Sequence, residues 1–328
     1  AMMGAVGETA DLAVRYLLLT LPSLPIMAIG MMGSATLRAE GAAFHAMLVT
    51  MGPGIVAMII DPIFIVTLNM GLDGAALAFW LSRISMAIIA LKFVITKHDL
   101  IARPSLGHIK KTAKPFSVIA GPTILTQLAT PFGSYLLTMV ISGFGDSAVA
   151  AWAVVNRLTV LAFGGIFSLS GAVGGILGQN FGASKFDRLN STYRDALIFC
   201  IIYPTGIWVV LLILSDFIAQ SFRLDMEGAE ILRAFTHVGA AAFTFTGMMF
   251  VANAAFNNLG RPIYSTILNW VREGLVSLPL AMWFAALYGA PGVIYSQAVV
   301  AFMIGVLATI WGLVFVLKKP NQLTQVQA

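Results

Sequence analysis

ALIFCIIYPTGIWVVLLILS, residues 196–215, runs through twenty positions without one charged side chain. A helix rising about 1.5 Å per residue needs about 20 apolar residues to cross the hydrocarbon of a bilayer. The strands of a membrane barrel alternate outward and inward residues, and this run does not alternate. Lipid offers the backbone no hydrogen-bond partner, so the segment must satisfy its own N–H and C=O groups as a helix.

Similar runs fill the rest of the chain. Apolar stretches between charge and turn clusters predict nine membrane-spanning helices, at 13–36, 43–70, 74–95, 116–142, 147–178, 192–215, 231–256, 263–288 and 291–317. The 328 residues are 59% hydrophobic and only 10% charged, against about 25% charged in soluble domains. No water-soluble surface can be built from that, and no soluble domain is expected. The first span is not a secretion signal, because acidic Glu8 and Asp11 stand where a basic flank is needed. The expected fold is an all-α polytopic membrane protein.

Basic residues set the orientation. Twelve of them (Arg38, Lys97, Arg103, Lys110, Lys111, Lys114, Lys185, Arg188, Arg194, Arg261, Lys318 and Lys319) fall on one side of the predicted spans. Only Arg15, Arg223 and Arg233 fall on the other. The richer side faces the cytoplasm, which puts the amino terminus outside and the carboxyl tail inside an inner membrane. The net charge of +5 is read as this asymmetry and not as a nucleic-acid surface. A single cysteine, Cys200, excludes an internal disulfide and a cysteine-clustered zinc site. His45, His98, His108 and His237 have no metal spacing, so neither a metal nor a cofactor is expected.

The polar stretch 96–115 separates three predicted helices from six. Both the first three and the last three carry a glycine in the first exit loop (Gly41, Gly260) and a G-x-x-G turn before the third helix (Gly71 to Gly74, Gly289 to Gly292). Repeated helix sets are a common way to build transporters. The repeat predicts a partial amino-terminal lobe of three helices over 1–95, a cytoplasmic loop over 96–115, a complete six-helix carboxyl-terminal lobe over 116–317 and a cytoplasmic tail over 318–328. Three further helices are then expected ahead of Ala1, making this chain a fragment of a twelve-helix parent.

Three segments carry a resemblance. LGQNFGASKFDR (177–188), NNLGRPIYSTILNWVREGL (257–275) and IIDPIFI (59–65) look like the multidrug and toxic compound extrusion (MATE) family of antiporters. The resemblance implies two six-helix lobes around a central cavity. It also implies export of amphipathic, often cationic compounds in exchange for protons or sodium, with small amphipathic substrates and membrane lipid as partners and no nucleic acid.

Each ionisable group inside a span costs about 2.5–3.5 kcal/mol on insertion scales and is a functional candidate for that reason. Asp61 is the foremost. It lies deep in a helix entered from the cytoplasm, and Pro62 after it loosens the preceding turn. The resemblance implies cation coupling at this aspartate, although Ala57 and Phe79 stand where relatives often carry an asparagine and a hydroxyl. The family's partner aspartate would lie ahead of Ala1. Glu273 and Arg272 form a second candidate, as a protonation site or an ion-pair lock. Adjacent helical residues point about 100° apart, so Arg157 or Arg83 is the expected partner of Glu273. Gln127, Thr130, Tyr135, Asn253 and Asn257 are candidates for a substrate cavity.

Three other readings stay open or fall here. Gly143-Phe144-Gly145-Asp146 resembles an intramembrane protease string, but that chemistry needs two carboxylates sharing a proton within the bilayer. Asp146 is predicted in an outer turn, so no enzyme is expected. A lipid-linked oligosaccharide flippase would need a cationic cavity built from Arg83, Arg157 and Arg272. A chain lacking half of one lobe could also transport nothing by itself.

Overall fold

The computed structural model describes residues 8–101 and 105–324, and every regular element among them is helical. The chain divides into two compact units, Ala1–Leu106 and Gly107–Ala328.

In the first unit, α1 (Glu8–Thr20) continues through a 3-10 turn, Leu21–Ser23, into α2 (Leu24–Ala39). Pro22 and Pro25 sit in the opening turns on either side of this break, where a missing N–H costs least. Next come α3 (Ala43–Pro62), which passes into a π-turn at Ile63–Thr67, and α4 (Gly71–Leu91), which ends in another at Lys92–Lys97. Leu37, Ala46, Val49, Ala90 and Val94 form the core. Polar contacts brace it: Arg15 pairs with Asp73 at 2.5 Å, and the Trp80 indole donates to the Leu19 carbonyl at 2.7 Å.

The second unit holds α5 (Leu106–Ser142, its first residue on the boundary), α6 (Asp146–Gly182), α7 (Phe186–Ser221) and α8 (Met226–Ala234). A π-turn, Phe235–Gly239, joins α8 to α9 (Phe243–Asn258) with a 58° bend. Then follow α10 (Pro262–Trp270), a π-turn at Val271–Val276, α11 (Ser277–Tyr288) and α12 (Pro291–Thr324). Phe163 and Phe243 stack at 4.1 Å in its largest apolar cluster, while Tyr193 and the buried Cys200 lie in a second.

Seven helices among the described residues are long and apolar enough to cross a membrane, or eight if the bent pair Met226–Gly239 and Phe243–Asn258 counts as one span. The predicted span 263–288 falls outside that count. Its helix is interrupted by the π-turn that carries Arg272 and Glu273. Met58 (79% exposed), Leu161 (81%) and Ile213 (73%) face outward from these helices, as expected of side chains that meet lipid.

Two bounds differ from the sequence reading. Lys97 closes a helix and Leu106 opens the next, so most of the expected 96–115 loop is helical; its Arg103 lies outside the described residues. The tail expected from 318 is helical to Thr324. Hydropathy locates where lipid ends, whereas a helix can continue past that point into water, because its backbone hydrogen bonds do not depend on apolar side chains.

The glycine repeat has a structural counterpart. Gly41 and Gly260 share φ near +90° (89° and 87°), and Gly71 and Gly289 are both left-handed (52° and 67°). The second glycine of each G-x-x-G lies against a preceding carbonyl, Phe64 for Gly74 and Phe284 for Gly292, where no Cβ would fit. Both turns thus place the same two demands on glycine, a positive φ at the first and a close approach at the second.

On the side expected to be external, Asp225 caps α8 by accepting from the Gly228 N–H at 2.9 Å and from the Ser147 hydroxyl at 2.5 Å. The Ser147 bond, then the Gly228 bond, hold its carboxyl below the ordinary value of 3.8. A depressed carboxyl stabilises the fold above its unfolded value, and the contribution is lost as pH falls through its folded value. Asp225→Ala is therefore expected to fray the first turn of α8 at neutral pH, read as faster amide exchange at Gly228. Acidification below the ordinary carboxylate range should erase the difference between variant and parent.

Candidate functional site

Asp61 lies in the last turn of α3, one residue before Pro62 and two before the π-turn Ile63–Thr67. Pro62 has no N–H to give the preceding turn, and the wider hydrogen-bonding that follows, with the Leu68 N–H reaching back to the Ile63 carbonyl, marks the disturbed ladder. The carboxylate is half-buried, and among the described residues it makes neither a hydrogen bond nor an ion pair. A basic side chain in the same unit is already engaged. Arg83 donates to the Ser23 hydroxyl at 2.5 Å and the Thr20 carbonyl at 3.3 Å, with its guanidinium 4.0 Å above the Phe79 ring.

In the second unit, α10 and its π-turn dock on α5 along one stripe. Thr266 donates to the Pro122 carbonyl at 2.8 Å and meets Thr126 at 2.9 Å. One turn on, the Trp270 indole donates to the Leu125 carbonyl at 2.9 Å. Glu273 then enters, 8% exposed, with its carboxylate against the space left by Gly133, where a Cβ would collide with Oε2.

Its ion-pair partner corrects the expectation. Arg272 Nε lies 3.5 Å from Glu273 Oε1, so the pairing is with the adjacent residue and not with Arg157 or Arg83. The two Cβ atoms diverge, but the long arginine stem folds back, because a buried carboxylate left without a countercharge is costly. At 3.5 Å the contact is looser than the roughly 2.7–2.9 Å of a strong charge-assisted bond.

The five cavity candidates do not join one another by hydrogen bonds. Gln127 and Thr130 are exposed on α5, Tyr135 is half-buried, and Asn253 and Asn257 on α9 each hold a buried side-chain oxygen without a partner. Asp146 opens α6 after the turn at Gly143–Gly145, as the sequence suggested. Among the described residues, no group of three His, Cys, Asp or Glu side chains has the geometry to hold a metal ion.

Sequence reasoning missed a cavity inside the second unit. Trp152, Asn156 and Thr159 from α6 line it together with Thr246, Arg272 and Gln297. The signal was faint: Asn156 and Thr159, at i and i+3, share one face of an otherwise apolar helix.

These features define an all-helical, multi-pass membrane protein with ionisable groups held inside its helical bundle. The MatE family model matches residues 122–283, and the chain is similar to this family of transporters. Among curated relatives, the FAD transporter of Shewanella oneidensis is 24% identical over 313 residues, 93% of this chain and 69% of its own length. Multidrug export protein MepA of Staphylococcus aureus is 22% identical over 302 residues, 90% of this chain and 66% of its own length. The chain thus spans about two thirds of these relatives. The crystal structure of the Vibrio cholerae MATE transporter VcmN in the bent form shares the fold at a TM-score of 0.84 and 24% identity, covering 98% of this chain and 73% of that one.

Proposed function

We propose that the chain works as part of a secondary exporter that exchanges amphipathic organic compounds, cationic ones among them, for protons or sodium. Asp61 is the group that takes up the ion. In this reading Pro262–Tyr288 is a ninth crossing, the amino terminus lies outside, and the carboxyl end is cytoplasmic in an inner membrane.

One observation carries the reading: a carboxylate on a membrane helix, beside a proline and a π-turn, with neither a hydrogen bond nor an ion pair spent on it among the described residues. A structural aspartate in lipid would have been matched by a donor, since an unpaired charge there has no compensation. An ion that binds from one side and leaves on the other supplies that compensation intermittently, which is what coupling requires. The engagement of Arg83 by Ser23, Thr20 and Phe79 removes one of the three cations on which a flippase cavity would depend.

The test uses the intact transporter in proteoliposomes loaded with a fluorescent cationic dye. Export should follow an imposed proton gradient or an imposed sodium gradient and stop when that gradient is collapsed. Dye movement indifferent to both gradients would remove ion coupling.

A further inference from the structure

Between α6, the bent α8–α9 segment, the π-turn at Arg272 and α12, the Gly107–Ala328 unit forms a partly open cavity of about 110 Å³. Drug-sized ligands occupy about 300–1,000 Å³. The space therefore suits a group of a few heavy atoms, not a whole amphiphile.

Its wall is apolar except at Asn156, Thr159, Thr246, Gln297 and Arg272, and it contains neither aspartate nor glutamate. The four neutral polar side chains make no hydrogen bond to the protein among the described residues. Asn156 is exposed and Thr159 and Gln297 are half-buried, so this hydrogen-bonding capacity can be reached from outside and is open to a guest. Amides and hydroxyls serve a guest of either sign, so the guanidinium decides. Arg272 has five N–H donors and no acceptor. Only the loose 3.5 Å contact to Glu273 and a 4.0 Å approach of Nη1 to the Met249 sulfur, a weak acceptor, draw on them. Glu273 itself is turned toward Gly133 on α5 and is not part of the cavity wall.

We propose that this cavity binds a small oxyanion, either inorganic phosphate or the acid group of an organic molecule. Arg272 is its countercharge, and the hydroxyls and amides of Asn156, Thr159, Thr246 and Gln297 donate around it. As a cargo subsite it deepens the export reading and rests on it; as a binding site it does not.

Trp152, on the wall, is the reporter. Intact protein in detergent is titrated at constant ionic strength with phosphate, benzoate and benzylammonium while tryptophan emission is followed. Benzoate or phosphate should give a saturable change that disappears in Trp152→Phe, weakens at least tenfold in Arg272→Gln and is partly retained in Arg272→Lys. Saturation by phosphate at concentrations where benzoate does nothing would identify a free-ion site; the reverse would identify the acid group of an organic cargo. Arg272→Gln also leaves Glu273 unpaired, so Gln297→Leu, which spares the ion pair, is the second variant and should weaken binding severalfold. Benzylammonium binding as tightly as benzoate overturns the proposal, as does wild-type benzoate and phosphate affinity in both Arg272→Gln and Gln297→Leu. Because binding is read without a gradient, failure of ion-driven export in liposomes would sink the export reading and leave this result standing.

Discussion

Asp61→Asn in the complete transporter is expected to reduce ion-driven dye export to the level of liposomes without protein, while insertion and melting temperature stay at their parental values. The expected size follows from the driving force. One pH unit is worth about 1.4 kcal/mol per proton and sustains at most about a tenfold concentration ratio in one-for-one exchange. Without the ionisable oxygen pair, that ratio collapses to one. Stability should not fall, because among the described residues Asp61 makes neither a hydrogen bond nor an ion pair whose loss would be felt. Removing a charge from a span also lowers the cost of placing it in lipid. The combination is diagnostic. A structural aspartate would lose stability along with transport, and an idle one would lose neither. Parental export by the Asn variant would take Asp61 out of the mechanism.

The parts of this molecule that were legible in its sequence are those where one residue type answers one physical demand. Runs such as 196–215 can only be membrane helices, and Gly41, Gly71, Gly260 and Gly289 announce turns that the structure makes with positive φ. The second glycines of the repeat, Gly74 and Gly292, were read as a pattern; their reason, a carbonyl of the preceding helix, needed three dimensions. Helix ends were misjudged at 96–115 because hydropathy reports lipid and not hydrogen bonding. The Arg272–Glu273 contact was missed for a related reason: the angle between neighbours on a helix constrains Cβ directions, not the tip of a long side chain. The cavity was the least legible feature of all. Its polar residues come from helices as far apart in the chain as Asn156 and Gln297, each an ordinary Asn, Thr or Gln in its own stretch, and only their convergence on one guanidinium gives them meaning.

Gly305→Leu should produce the largest loss of stability, because Gly305 is where α12 comes against α9 with no room between them. A Cβ there would stand 2.5 Å from the Phe245 carbonyl oxygen and 2.7 Å from its Cβ, and helix backbone cannot step aside as a flexible side chain can. Between membrane helices, small residues of this kind are what permit close approach, since apolar surface gains nothing by leaving lipid. Overpacking a well-filled interior costs about 1–3 kcal/mol, and four added carbons against fixed backbone lie at the upper end. The same face of α12 carries Ala298 and Ala301 on the cavity wall, so a displaced helix would also loosen anion binding. Gly206 on α7 is the control: it is exposed, with no atom within 4 Å of an added Cβ. There a leucine meets lipid and regains the roughly 1 kcal/mol of helix propensity that glycine forgoes. In detergent, Gly305→Leu should melt several degrees below the parent and lose its monodisperse chromatographic peak, while Gly206→Leu melts with the parent or above it. Equal melting of the two variants would mean that α9 and α12 are not in the contact that holds this unit together.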